Sequence, residues 1–172
     1  NKCNNGDEGV VSLADGLRRG RLPSLLTLAL AQAQIGPQGA TALASALTKR
    51  ALPSIFALRV GANPLGDVGL AALLPAMRRF PPLKHLSLTS THIGDVGVAS
   101  LVAQPTAGKL KSLECLVLQR NQITDAGCAT LATALRGGAL PALKELFLNG
   151  NPAASQQATA EVQAAISARS GQ

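Results

Sequence analysis

Five stretches of the chain align with one another on their apolar positions. They read LLTLALAQAQI from Leu25, IFALRVGANPL from Ile55, LKHLSLTSTHI from Leu83, LECLVLQRNQI from Leu113 and LKELFLNGNPA from Leu143. The recurrence is about every thirty residues, the span of one supersecondary unit in a repeat array. Each unit has the form LxxLxLxxNxI, with a glycine four residues on and then two leucine-like positions four apart. Gly39, Leu43 and Leu47 fill that second half in one unit, Gly69, Leu73 and Met77 in the next, and Gly127, Leu131 and Leu135 in a third.

The alternating leucines have the period of a strand with one buried face, and the GxxxLxxxL half has the period of a helix. A unit this small cannot bury both apolar sides alone, so neighbours must stack and share a continuous core. The expected product is an α/β solenoid, with short parallel strands on the inner, concave face and helices on the outer, convex one. The register centres strands on Leu28, Leu58, Leu86, Leu116 and Leu146. It places helices over about 8–18, 38–49, 67–79, 95–103, 125–136 and 155–169. On these motifs the chain resembles the leucine-rich repeats of the long, ribonuclease-inhibitor-like class, over nearly all of residues 1–152. That resemblance implies a curved horseshoe strongly and a function weakly, because the class serves inhibitors, immune-receptor sensor regions, GTPase activators and scaffolds.

The resemblance further implies that the asparagine of LxxN turns inward to satisfy backbone groups. Asn63, Asn121 and Asn151 can do so; Thr91 keeps a hydroxyl, whereas Ala33 offers no polar atom and must leave the task to water or a neighbour. Pro105 falls where Leu47 and Leu135 stand in their units, so that helix should stop near Ala103. The whole of 1–172 reads as one domain. Within it, 1–21 is a partial first repeat whose strand is missing, 22–152 holds the full repeats, and 153–172 is a polar, Ala-Gln-rich C-terminal capping helix with Val162 and Ile166 as its apolar stripe. The missing strand reads as a cut from a longer repeat protein, since natural arrays cap their ends.

Nearly half the chain is apolar, yet no run approaches the roughly 20 residues of a membrane span. With three phenylalanines and neither tyrosine nor tryptophan, aliphatic and alanine packing must form the core. The three cysteines, Cys3, Cys115 and Cys128, are too sparse for a disulfide framework, which favours an intracellular, cytoplasmic setting. The chain does not begin with methionine, so a removed targeting segment stays open.

The net charge of +7 is ordered along each unit. Asp7, Asp67, Asp95 and Asp125 recur at the first helical turns, where a carboxylate favours the free N–H groups of its helix. Basic residues recur at the helix C-termini: Arg18 and Arg19, Lys49 and Arg50, Arg78 and Arg79, and Arg136. Helix capping and solubility account for both rows. The sharper reading makes Lys49, Arg50, Arg78 and Arg79 an anion-binding ridge for an acidic partner, a phosphoinositide headgroup or nucleic acid. Without aromatic interleaving or a known motif, no sequence-specific nucleic-acid recognition is expected.

Neither histidine has a carboxylate or cysteine at ligand spacing, so no metal site is expected. His85 and Cys115 fall in one column on adjacent strands, but an open sheet gives such a pair neither an oxyanion hole nor a pocket, and no enzyme is read here. No phosphate-binding glycine motif is present, and no cofactor is expected. The outward residues of the strands form three columns: Thr27, Ala57, His85, Cys115 and Glu145; Ala29, Arg59, Ser87, Val117 and Phe147; Ala31, Gly61, Thr89, Gln119 and Asn149. From these the expected partner-binding residues on the concave face are Arg59, His85, Val117, Gln119, Arg120, Glu145 and Phe147, with aromatic and arginine anchors leading. The function expected is a non-catalytic module that presents its concave sheet to a protein partner. The alternatives are part of a Ran-type GTPase-activating protein and the ligand-sensing repeats of a nucleotide-binding immune receptor.

Overall fold

A computed structural model of the chain describes residues 5–19, 22, 24–47, 52–77, 83–103, 110–152 and 154–170. Helix α1 (Asn5–Arg19) is followed by five strand–helix pairs. These are β1 (Thr27–Ala29) with α2 (Pro37–Ala46), β2 (Ala57–Arg59) with α3 (Gly66–Met77), β3 (His85–Ser87) with α4 (Asp95–Val102), β4 (Cys115–Val117) with α5 (Asp125–Arg136), and β5 (Glu145–Phe147) with α6 (Gln156–Ser170). The strands form one sheet in the order β1-β2-β3-β4-β5. Every pair is parallel, with Leu28, Leu58, Leu86, Leu116 and Leu146 in register across all five strands. The register is that of the repeat, so the chain is a leucine-rich-repeat solenoid. Helix α4 ends at Val102, with Ala103 as its extended cap, ahead of Pro105.

Burial follows the alternation. Leu58, Leu86 and Leu116 are buried, as are Leu43, Leu73, Leu101, Leu131 and Leu135 on the helices, and together they form one continuous core. Val162, Ala165 and Ile166 of α6 join that core, while Gln157 and Glu161 stay exposed. Among the described residues, no helix is long and apolar enough to cross a membrane.

The structure adds a second partner to one expectation. The recurring aspartates stand in the first turns of their own helices, and each also accepts a hydrogen bond from the residue that opens the helix of the next unit. Asp7 Oδ1 accepts from Gly36 N at 2.7 Å, Asp67 from Gly94 N at 2.7 Å, Asp95 from Thr124 N at 2.8 Å, and Asp125 from Ser155 N at 2.6 Å. Asp95 also takes the Thr124 hydroxyl at 2.6 Å. The reason is stacking: the next helix start lies close enough to compete for the carboxylate, and a charge-assisted bond there satisfies an otherwise orphan donor.

The asparagines act across units as well, in the opposite direction. Asn63 Oδ1 accepts from Ala33 N and Ile35 N of the preceding loop, and its amide donates to Leu30 O and Val60 O. Asn121 serves Thr91 N and Ile93 N in the same way, and Asn151 serves Asn121 N and Ile123 N. The backbone at Ala33 is thus supported by the next unit's asparagine. One loop receives neither kind of support. Pro37 stands where an aspartate would serve Gly66, and the Thr91 hydroxyl turns to Leu88 O and Asn121 Oδ1. There Leu65 N bonds Asn63 O and Gly66 N bonds Thr91 O, with Ala62 and Gly66 both at positive φ.

Candidate concave interaction face

Because side chains alternate across a strand, the residues flanking each buried leucine must face outward. The register sets His85 beside Cys115 and Cys115 beside Glu145 in one column, and Arg59, Ser87, Val117 and Phe147 side by side in the next. Arg59, His85 and Glu145 are exposed, Val117 and Gln119 are half-buried, and Phe147 is 39% exposed. Ala57 is buried, so the first column narrows toward the N-terminal end. Arg120 is exposed at φ 54°, within a column of left-handed positions that runs Gln32, Ala62, Ser90, Arg120 and Gly150. The repeat therefore brings the seven expected residues onto one surface. Lys49, Arg50, Arg78 and Arg79 lie outside the described residues.

The electrostatics of this face are mixed. Burial raises the Cys115 thiol pKa, and a hydrogen bond to Glu145 raises it further, while Arg59 acts weakly the other way. A thiol shifted in this direction holds less thiolate at neutral pH than a free cysteine does. His85 instead sets its ring edge-on to Phe56, with centroids 5.7 Å apart at 71°. Cys115 and Cys128 are both free thiols. Among the described residues, no group of three or more His, Cys, Asp or Glu side chains converges to hold a metal.

Two features escape the sequence reading. Phe56 becomes the aromatic neighbour of His85, which makes an apolar rim at the entry side of the sheet. Next to it, Lys84 and Lys144 both pair with Glu114, at 2.9 and 2.8 Å, and form a charged row along three successive units. The hydrogen bond from Lys144, and then that from Lys84, lower the Glu114 pKa to about 2. The signal was present in the column Leu26, Phe56, Lys84, Glu114, Lys144, where charges alternate at the repeat period.

Residues 21–44, 81–102 and 109–132 match a family model described as Leucine Rich repeat. Among solved structures, the tropomodulin C-terminal domain of Caenorhabditis elegans superposes with a TM-score of 0.71 over 94% of this chain and 93% of that one, at 14% identity. Leiomodin-1 actin-binding site 2 superposes with a TM-score of 0.71 over 95% of this chain and 88% of that one, at 12% identity. Comparison with curated protein sequences returns no match. At such low identity the two superpositions speak to the fold, which is the solenoid derived above.

Proposed function

We propose that the chain is a non-catalytic protein-interaction module of the long, ribonuclease-inhibitor-like repeat class, whose concave face binds a macromolecular partner in an intracellular setting. One observation carries the reading: Arg59, Ser87, Val117 and Phe147 share a row of side chains that the core does not demand, directly beside Leu58, Leu86, Leu116 and Leu146, which it does. An exposed phenylalanine and Arg59 on the sheet, with Arg120 just beyond β4, are of the types that dominate binding hot spots, since aromatic rings and guanidinium groups bury large area and make directed contacts. The about thirty-residue step with a helix in every unit supports the repeat class. Two free thiols support a reducing compartment.

One of the similar solved structures is an actin-binding site, so actin is the first partner to test, by co-sedimentation, alongside affinity capture from cell lysate. Changing Arg59, Arg120 and Phe147 together to alanine abolishes specific capture while the melting transition stays nearly unchanged. Reversing the charges of Lys49, Arg50, Arg78 and Arg79 alters only weak, salt-sensitive binding to anionic surfaces, because exposed charges are screened beyond about 8 Å at physiological ionic strength. Loss of the partner in the ridge variant, with its retention in the triple variant, refutes the concave placement.

A further inference from the structure

Each strand of the sheet hands the next one the same set of backbone donors. Leu30 N donates to Arg59 O, Val60 N to Ser87 O, Leu88 N to Val117 O and Leu118 N to Phe147 O, all within 2.8–3.0 Å. Two residues on, Gln32 N donates to Gly61 O, Ala62 N to Thr89 O, Ser90 N to Gln119 O and Arg120 N to Asn149 O. At the following position, Ala33, Thr91 and Asn121 donate to the asparagine of the next unit. On β5 the same phase aims the N–H groups of Leu148, Gly150 and Asn151 at the place of a sixth strand. Among the described residues none of the three has an acceptor.

The free edge is shaped as well as unpaired. A cleft of about 400 Å³, lined in part by Leu148, Gly150, Ala160 and Gln163, opens between the end of β5 and helix α6. Gln163 Nε2 reaches back to donate to Leu146 O at 2.8 Å, which imitates the strand donor that would otherwise arrive there. A row of unsatisfied donors along a sheet edge is a template for an added strand, with main-chain bonds giving affinity and alternate side chains giving specificity. The outward side chains of β5 define that specificity. An added strand carries its first outward residue beside the carboxylate of Glu145 and its second beside the exposed ring of Phe147. Opposite charges in such cross-strand positions attract, and like charges repel.

We propose that the outer edge of β5 docks an extended peptide segment of a partner protein, which joins the sheet as a sixth parallel strand with a lysine or arginine beside Glu145 and an apolar residue beside Phe147. The site shares Glu145 and Phe147 with the concave face but does not rest on that reading, since its bonds are to the main chain of one strand.

The test uses the 172-residue chain and two octapeptides. LKELFLNG copies residues 143–150, and LKKLFLNG differs by a lysine at its third position. With saturating LKKLFLNG, whose fifth and seventh carbonyls stand where Phe147 O and Asn149 O serve the preceding strand, amide exchange measured by NMR slows at least tenfold at Leu148 and Gly150. Glu145→Lys, an exposed change whose fold is checked by circular dichroism, weakens LKKLFLNG and strengthens LKELFLNG, each about three- to fivefold. Gln163→Ala strengthens both peptides, since it leaves Leu146 O open. The proposal fails if neither peptide binds at millimolar concentration, or if the Leu148 and Gly150 amides exchange unchanged in the complex. It fails equally if both peptides bind the parent and Glu145→Lys chains alike. A chain that dimerises by itself with those amides already protected gives the edge to a second copy, and that too overturns it.

Discussion

Gly127 lies inside α5, where replacing glycine by alanine ordinarily stabilises a helix by roughly 0.8–1 kcal/mol. Here the sign reverses. A Cβ at Gly127 would stand 2.2 Å from Asp95 Oδ1 and 2.8 Å from Ile123 Cγ2. To admit it, the Asp95 carboxylate must leave Thr124, giving up bonds to the backbone N–H and the hydroxyl. Bonds to a charged group contribute roughly 1.5–3 kcal/mol, and overpacking against Ile123 adds roughly 1–3. Less the propensity gain, Gly127→Ala costs about 2–5 kcal/mol. Gly9 holds the same place in α1, and among the described residues nothing lies within 4 Å of its added Cβ, so Gly9→Ala stabilises by about 0.5–1 kcal/mol. With Asp95→Ala already present, the increment from Gly127→Ala falls by at least about 1.5 kcal/mol, because only the Ile123 contact remains to be paid. The chain has neither tryptophan nor tyrosine, so urea unfolding is followed by circular dichroism, with equal m-values required across the cycle. Stabilisation by Gly127→Ala, or an equal increment in both backgrounds, refutes the role given to the carboxylate.

Leu116→Ala, at a position with no exposed surface, costs roughly 2–5 kcal/mol in the same melts, whereas Val117→Ala beside it costs well under about 1; equal losses would reverse the faces of β4. The lysine ammonium groups hold the Glu114 carboxylate down at about 2, below its ordinary 4.5, and a carbon-detected NMR titration is the measurement that checks it. Because the folded pKa is depressed, the stabilisation is complete above pH 4.5 and disappears as pH falls toward 2. Glu114→Gln therefore flattens the melting temperature across that window, and a titration near 4.5 would dissolve the lysine pairing. Gln32 is exposed at φ 58°, a left-handed position that is costly for a side chain, so Gln32→Gly raises stability by about 0.5–1 kcal/mol despite glycine's entropy.

The leucine positions made the sheet readable before any coordinates, because a residue such as Leu86 is constrained by period alone. The concave columns followed for the same reason: once Leu116 points inward, Cys115 and Val117 cannot. The helix stop before Pro105 was equally local, since a missing donor and a ring clash need no neighbour to act. What the sequence concealed was which polar groups reach from one unit to bond the backbone of the next. Asp95 reads as a cap of α5's sister helix α4, and only stacking shows that Thr124 claims it. Ala33 reads as a deficiency, yet Asn63 supplies its backbone from thirty residues downstream. Phe56 was passed over because it sits outside the strand proper, and its contact with His85 depends on the turn of the chain between units.

The pairing of a glycine with an aspartate from the unit before it bears on how such an array can be copied. Gly39 makes room for Asp7, Gly97 for Asp67 and Gly127 for Asp95. Each unit thus carries half of two couples, an aspartate offered forward and a glycine held for the unit behind. A duplicated unit with both letters fits between any two neighbours that also carry them, whatever the rest of its sequence. A unit that loses one letter disturbs only one joint: Pro37 offers no carboxylate, and Gly69 there meets Leu65 and Ala40 side chains instead. At the other end Gln157 replaces the glycine, and a cleft of about 320 Å³ opens between Asp125, Gln157 and Glu161. Asp125 still accepts from Ser155 N at this joint, so here the array keeps its carboxylate and leaves a gap where the other joints close over a glycine.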